Sequence, residues 1–187
     1  MSSLPRLIGL HGKPRVGKDT VANYLMSKRS FRRYGPSVRV KDTAAVMFDV
    51  PREYFDDDNM KDQVDPFWGI TYRQMAQKVG KESSRDVFGD DIWMRHVEKQ
   101  LKILDPCFGF ILADIRYASE IKWIKEHGGD VYYVLRGNAP KSSDQGHVVD
   151  AGLPLDLADI LIYNDGTIEE LYTTVDNNMA AYYSWED

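Results

Sequence analysis

The sequence predicts an α/β fold, a parallel sheet of roughly five strands with helices on both faces. Three observations lead there. Short apolar runs alternate along the chain with stretches of helical periodicity, the pattern of strands joined by crossover helices. The first run, Leu7-Ile8-Gly9-Leu10, leads into a glycine-bounded loop and then a helix, through Gly12-Lys13-Pro14-Arg15-Val16-Gly17-Lys18-Asp19-Thr20. The later runs at Phe108 to Ile115 and Val131 to Leu135 are apolar almost throughout, as strands covered on both faces are.

Taken in order, Arg6 to Leu10 reads as a buried strand and Lys18 to about Lys28 as the first helix. Gly35 and Pro36 then act as breakers that turn the chain. Ser37 to Val40 reads as a short alternating strand, with Lys41 and Asp42 at its C-terminal end, and Thr43 to about Val50 as a helix stopped by Pro51. Residues 51 to 70 are polar, aromatic and irregular. Asp56-Asp57-Asp58 lacks the glycine and terminal glutamate of a calcium loop, which favours a solvated acidic segment. Helical spacing returns from Thr71 to Lys81, with Tyr72, Met75, Ala76 and Val79 on one side, and from Ile92 to Leu104, ended by Asp105-Pro106. After the strand Phe108 to Ile115, a helix from Ala118 to His127 stops at Gly128-Gly129. Val131 to Leu135 is the next strand, ending at Arg136. Residues 137 to 157 are long enough for a lid or binding loop rather than a mere connection. Asp159 to Tyr163 is the last strand, Asn164-Asp165-Gly166 a turn, and Thr167 opens the final helix with Glu170 three residues on, a capping box.

Length and charge bound the function. A chain of 187 residues is one domain of ordinary size. A net charge of -5 with dispersed basic residues offers no stripe for a nucleic-acid polymer. The single cysteine, Cys107, excludes an internal disulfide and suggests a reducing compartment. The N-terminal apolar run is too short for a signal peptide or membrane span, so a cytoplasmic protein is expected.

The spacing from Gly12 to Gly17-Lys18 fits a phosphate-binding loop, and the strand before and helix after it supply the required context. Amides at a helix N-terminus converge on an anion, and glycines let the backbone wrap closely around it. Lys18 adds a mobile charge for the outer phosphates. After the lysine, where the pattern has Ser or Thr, stands Asp19, with Thr20 next; either could meet Mg²⁺. Lys41, Asp114, Arg116 and Arg136 all fall at strand C-terminal ends, where open α/β sheets bind ligands. Arg116 and Arg136 are phosphate partners or surface ion-pair members. Asp114 is a metal-associated carboxylate or a cap of the next helix. Arg73 and Arg85 could clamp a monophosphate, and Trp93 stacks on a base or fills a core. Of the histidines, His11 beside the loop and His147 in the lid region are candidates.

These residues resemble the deoxynucleoside monophosphate kinases of tailed bacteriophages. The likeness rests on the Gly-Lys-Asp-Thr loop ending, Val40-Lys41-Asp42, Tyr72-Arg73-Gln74-Met75 leading to Gly80, Asp90-Asp91-Ile92-Trp93 and Ala113-Asp114-Ile115-Arg116. It continues through Ala151-Gly152-Leu153-Pro154 to Asn164-Asp165-Gly166-Thr167-Ile168-Glu169-Glu170-Leu171. The resemblance implies a P-loop kinase fold in one domain, an acceptor-binding section over about residues 41 to 104, a lid over about 137 to 157, and transfer of the ATP γ-phosphoryl group to a deoxynucleoside monophosphate with Mg²⁺. It implies that Arg15, Gly17, Lys18, Asp19 and Thr20 meet the ATP phosphates, with Gly12, Lys13 and Val16 in the same loop. Val40, Lys41, Arg73, Gly80, Trp93 and Asp114 would surround the acceptor. Lys18, Arg116 and Arg136 would be catalytic, the two arginines by their position. Members of the family are often homodimers. The chain is shorter than some members through its middle, so no acceptor contact between 51 and 70 carries over. A P-loop kinase of another small phosphorylated metabolite, a non-catalytic nucleotide-binding module and a polynucleotide end kinase are the competing readings.

Overall fold

An unbroken apolar run such as Leu7 to Leu10 can be buried only with strands on both edges and helices on both faces, and the computed structural model of the chain supplies all four neighbours. The structure describes residues 7–28, 30–103, 109–137 and 154–182. They fall into two compact units, one from the described parts of Met1–Tyr34 and Leu104–Asp187, the other Gly35–Ile103.

The first unit is a five-stranded sheet. Its strands are β1 (Leu7–His11), β2 (Phe31–Arg33), β3 (Gly109–Ile115), β4 (Asp130–Leu135) and β5 (Ile160–Tyr163), in the order β2-β3-β1-β4-β5. Every pairing is parallel, with Ile8 beside Ile111 on one side and Asp130 on the other. Side chains alternate between faces, so Ile8 and Leu10 share a core with Val21 and Leu25 of α1 (Lys18–Lys28) and with Leu171, Val175 and Met179 of the C-terminal helix (Ile168–Tyr182). Tyr24 stacks on Tyr172 at 3.9 Å and donates to Asp176 at 2.6 Å, tying those two helices together. On the other face Ile124, from the helix Ala118–Glu126, lies over Gly9. At the edge, β5 buries Ile160 and Ile162 and exposes Leu161 and Tyr163. Because the chain leaves β1 toward one face and β3 toward the other, a crevice opens at their C-terminal ends.

The second unit is helical. It comprises α2 (Pro36–Phe48), a 3₁₀ turn Arg52–Phe55, α3 (Tyr72–Gly80), a π turn Lys81–Arg85, the single turn α4 (Asp86–Phe88) and α5 (Ile92–Leu101). The later helices, α6 (Ala118–Glu126) and α7 (Ile168–Tyr182), belong to the first unit. Helix α3 starts on a reciprocal capping box, Thr71 with Gln74, and buries Tyr72, Met75 and Val79 against Ala44, Phe55 and Trp93. None of the described helices is long and apolar enough to cross a membrane.

One stretch departs from the expectation. Ser37 to Val40 is not a strand; it is the first part of α2, and the edge strand β2 lies earlier, at Phe31–Arg33. Gly35-Pro36 marks a start, with Gly35 as N-cap and proline in the first turn, where its missing N–H costs nothing. Val40, Lys41 and Asp42 are therefore on a helix and not at a strand end. The helix predicted to run to Leu104 spans Ile92–Leu101, with Leu104 itself outside the described residues, and a π turn extends the segment predicted to stop at Lys81. The capping box at Thr167 and Glu170 is formed, at 2.7 and 3.3 Å. Arg6, Asp105-Pro106, Cys107, Phe108, His147, Ala151 to Leu153 and most of the expected lid, residues 138 to 153, lie outside the described residues.

Residues 51–70 are irregular, as read, yet Asp65 is buried and accepts from the Phe67 and Trp68 amides and the Tyr72 hydroxyl at 2.9, 3.0 and 3.1 Å. The Trp68 amide, with Phe67 and Tyr72, holds its carboxyl below the ordinary value against the opposing effect of burial. A depressed carboxyl stabilises the fold above its unfolded pKa, and that contribution disappears as pH falls through the lower folded value. The turn around Asp65 should therefore open below about pH 4. Trp68 fluorescence should follow it, and the acid dependence of that signal should flatten in Asp65→Asn.

Candidate active site

β1 ends at His11, and the loop that follows leaves between the C-terminal ends of β3 and β4. Its shape depends on two glycines. Gly12 has φ +145° and Gly17 φ +105°, and a Cβ on either would strike a neighbour, the Val134 carbonyl or the Asn164 amide. Val16 is buried and pins the loop to the sheet core. Asn164, directly after β5, donates its side-chain amide to the Val16 carbonyl at 2.8 Å, a staple from a strand two places away.

Lys18, the first residue of α1, turns back over the loop. Its ammonium donates to the Gly12 and Lys13 carbonyls, each at 2.9 Å, and stands 3.4 Å from Asp114. The side chain is 10% exposed, so the charge is screened from water but paired on three sides. Asp114, at the crevice end of β3, has φ +62°, and Arg15 in the loop has φ +64°. Left-handed backbone at a non-glycine residue costs on the order of 1 kcal/mol or more, so strain collects on both sides of the crevice.

Asp19 does not stand alone: Arg33, the last residue of β2, meets its carboxylate at 2.6 Å. Thr20 is half-buried beside it. The cap of α6 is Glu120, which accepts from the Arg116 and Tyr117 amides at 2.8 and 3.2 Å. That is the duty the sequence left open for Asp114. Arg116 and Arg136 are exposed, each one residue past β3 and β4, the strands that flank β1. Both arginines therefore lie at the same C-terminal end of the sheet as the loop that carries Lys18. His11 is buried, its Nδ1 2.6 Å from the Ile115 carbonyl and its ring edge-on to Tyr133. Burial pushes its pKa down, and the nearby Lys18 adds to this against the opposing pull of Ile115 and Glu120. It is a neutral strut under the loop.

The remaining candidates lie in the helical unit. Val40 packs on Gly80, whose carbonyl accepts the Trp93 indole N–H at 2.9 Å. Trp93 is 5% exposed, a core residue whose face is covered rather than open for stacking. Lys41 is bound to Asp56 at 2.5 Å. Arg73 makes a two-pronged contact with Asp62 at 2.6 and 2.9 Å, and Arg85 is buried with a bond to the Asp90 carbonyl at 2.5 Å. Sequence reasoning missed Arg33, since its strand was read as a turn, and Asn164, since an Asn-Asp-Gly turn gives no hint of a reach to Val16.

The sequence model of the deoxynucleotide monophosphate kinase family matches residues 51–175, well over half of the chain. The chain belongs to the deoxynucleotide monophosphate kinase family. A kinase-family protein of Acanthamoeba polyphaga mimivirus, named for the same activity, is 29% identical over 183 residues, covering 90% of this chain and 93% of its own. The deoxynucleotide monophosphate kinase of Enterobacteria phage T4 is 30% identical over 125 residues, and that of Escherichia phage RB69 28% over 111. Those stretches cover 65% and 58% of this chain but 48% and 44% of the phage enzymes, so the chain matches about half the length of each. Among solved structures, a Thermus thermophilus protein superposes with a TM-score of 0.53 at 17% identity, covering 96% of this chain and 98% of its own. Dephospho-CoA kinase from Campylobacter jejuni gives 0.51 at 15%, covering 95% and 97%. At that identity the two structures speak for the fold, that of a P-loop kinase.

Proposed function

We propose that this kinase-family chain transfers the γ-phosphoryl group of ATP to a deoxynucleoside monophosphate. The observation that carries the reading is Lys18, held at the mouth of a glycine loop and beside Asp114, with Arg116 and Arg136 each one residue past the two flanking strands. In this reading Gly12, Lys13, Arg15, Val16, Gly17, Lys18, Asp19 and Thr20 receive the ATP phosphates. Lys18 exchanges its two carbonyl partners for phosphoryl oxygens. An oxygen of the acceptor phosphate attacks the γ-phosphorus in line; the new P–O bond forms as the bond to the β–γ bridging oxygen breaks, and ADP leaves. The acceptor is already an anion, so no general base is needed and positioning with charge stabilisation does the work. Arg116 and Arg136 balance the charge on the transferring group. His11, kept neutral, holds the loop without adding charge.

Mg²⁺ belongs to the proposal. Such an ion takes one or two protein oxygens and completes its shell with phosphates and water. Asp19 and Thr20, in the first turn of α1, supply the oxygens assigned to that use; Asp19 carries Arg33 on its carboxylate, as Asp114 carries Lys18. A bound ion would offset part of the negative charge of the phosphates there. We assign acceptor binding to the section that carries Val40, Lys41, Arg73, Gly80 and Trp93, with Asp114, and closure to the stretch 137 to 157. In this assignment Trp93 shapes the wall from within. A homodimer, and work in the cytoplasm, the host's if the chain is phage-encoded, are taken from the family.

The test is an acceptor panel with ATP consumption as the readout. Deoxynucleoside monophosphates, their ribonucleotide counterparts and small phosphorylated acids and alcohols are compared. At least one deoxynucleoside monophosphate should yield its diphosphate faster than any non-nucleotide. ATP binding with no diphosphate from any acceptor would leave a binding module instead.

A further inference from the structure

A second charged cluster lies wholly within residues 35–103. Arg39, Lys41 and Asp42 come from α2, Arg52 from the 3₁₀ turn, and Asp56 from the residue that ends it. Asp42 accepts from Arg39 at 3.2 Å and from Arg52 Nε at 2.8 Å, which fixes the plane of the Arg52 guanidinium. Arg52 Nη1 then reaches one oxygen of Asp56 at 2.6 Å, while Lys41 Nζ reaches the other at 2.5 Å. One anionic group thus spans two cations, an oxygen on each.

Three features set this apart from an ordinary surface network. The cations lie lower than the group that bridges them: Lys41 and Arg52 are 27% and 31% exposed, Asp56 58%. Burial works to raise the Asp56 carboxyl, yet Lys41 and Arg52 hold it below the ordinary aspartate value, so it is an anion throughout the neutral range. Finally, the five groups carry one more positive than negative charge. A phosphate monoester, close to a dianion at neutral pH, would bring the cluster to neutrality if it replaced the single charge of Asp56. Arg73 is less suited, because Asp62 already takes both prongs of its guanidinium.

We propose that Lys41 and Arg52 form the seat of the acceptor's phosphate, oriented by Asp42, and that the Asp56 carboxylate is a built-in stand-in which the incoming phosphate displaces. The proposal rests on the kinase reading for the identity of the ligand, and adds Arg52 as a binding residue and Asp56 as its competitor. Guanidinium suits this seat because its planar fork keeps one edge on Asp42 while offering another to the ligand.

The experiment is equilibrium binding to the full chain of the four deoxynucleoside monophosphates and of the matching deoxynucleosides, which lack the phosphate. Wild type is compared with Arg52→Gln, Arg52→Lys and Asp56→Asn, and kinase turnover is recorded for each. Arg52→Gln should weaken monophosphate binding about tenfold or more without changing deoxynucleoside affinity, and Arg52→Lys should recover part of it. Asp56→Asn should tighten monophosphate binding by about threefold to tenfold. Turnover in the wild type with monophosphate affinity indifferent to Arg52→Gln and Asp56→Asn would overturn this inference and leave the kinase reading standing. The expected binding pattern with no turnover on any acceptor would support the seat and remove the kinase reading. Equal losses for nucleoside and monophosphate in Arg52→Gln, with no gain in Asp56→Asn, would show a purely structural network and overturn the seat.

Discussion

Replacing Lys18 with alanine is expected to lower kcat for diphosphate formation by about two to three orders of magnitude, the usual effect of removing one charged or hydrogen-bonding group aimed at a transition-state oxygen. The ammonium is almost enclosed and has three oxygen partners in the resting protein, the Gly12 and Lys13 carbonyls and Asp114. It can hand the two carbonyl contacts to phosphoryl oxygens at little cost in reorganisation. Stability should change far less, by about 1 kcal/mol, because the carbonyls left behind are on a loop that water reaches. Lys18→Arg should not restore the rate, since a planar fork cannot replace a point charge in that small space. Steady-state kinetics beside a thermal melt check this: a folded Lys18→Ala protein with the wild-type rate would move the site elsewhere.

What the sequence made legible follows from how local each signal is. The phosphate loop is read from contiguous residues, since strand, Gly12, Gly17-Lys18 and helix all lie within Leu7–Lys28. Strands β3 and β4 are nearly unbroken apolar segments because neighbours cover both faces, and that burial is written into each run. The edge strand β2 has no such signature. Phe31–Arg33 is three residues with one buried side chain, so Gly35-Pro36 beside it outweighed it and a strand was expected on the wrong side of the proline. Pairing of Asp19 with Arg33 and of Asn164 with Val16 depends on which strands become neighbours, a property of the assembled sheet. The same holds for the cluster at Lys41, Arg52 and Asp56. Its members lie 11 and 4 residues apart, and one is in a stretch read as merely acidic and solvated.

The staple between β5 and the loop leads to the second large effect. Gly17→Ala should destabilise the first unit by about 2 to 6 kcal/mol, from two sources. A φ of +105° suits glycine and costs an alanine on the order of 1 to 3 kcal/mol. The new methyl would also drive the Asn164 amide away from the Val16 carbonyl, leaving a buried acceptor without its donor at a further ~1 to 3 kcal/mol. The loop amides proposed to receive the ATP phosphates would shift with it, so KM for ATP should rise by about tenfold or more. Asn164→Ala alone should lose the hydrogen bond and keep the glycine conformation. In Gly17→Ala combined with Asn164→Ala the collision is gone and the lost bond is counted once. The double variant should therefore be less destabilised than the sum of the singles by about 1 to 2 kcal/mol. Denaturant melts of the four proteins measure this coupling directly. Strict additivity would mean that Gly17 and Asn164 act independently, with no staple between the last strand and the loop.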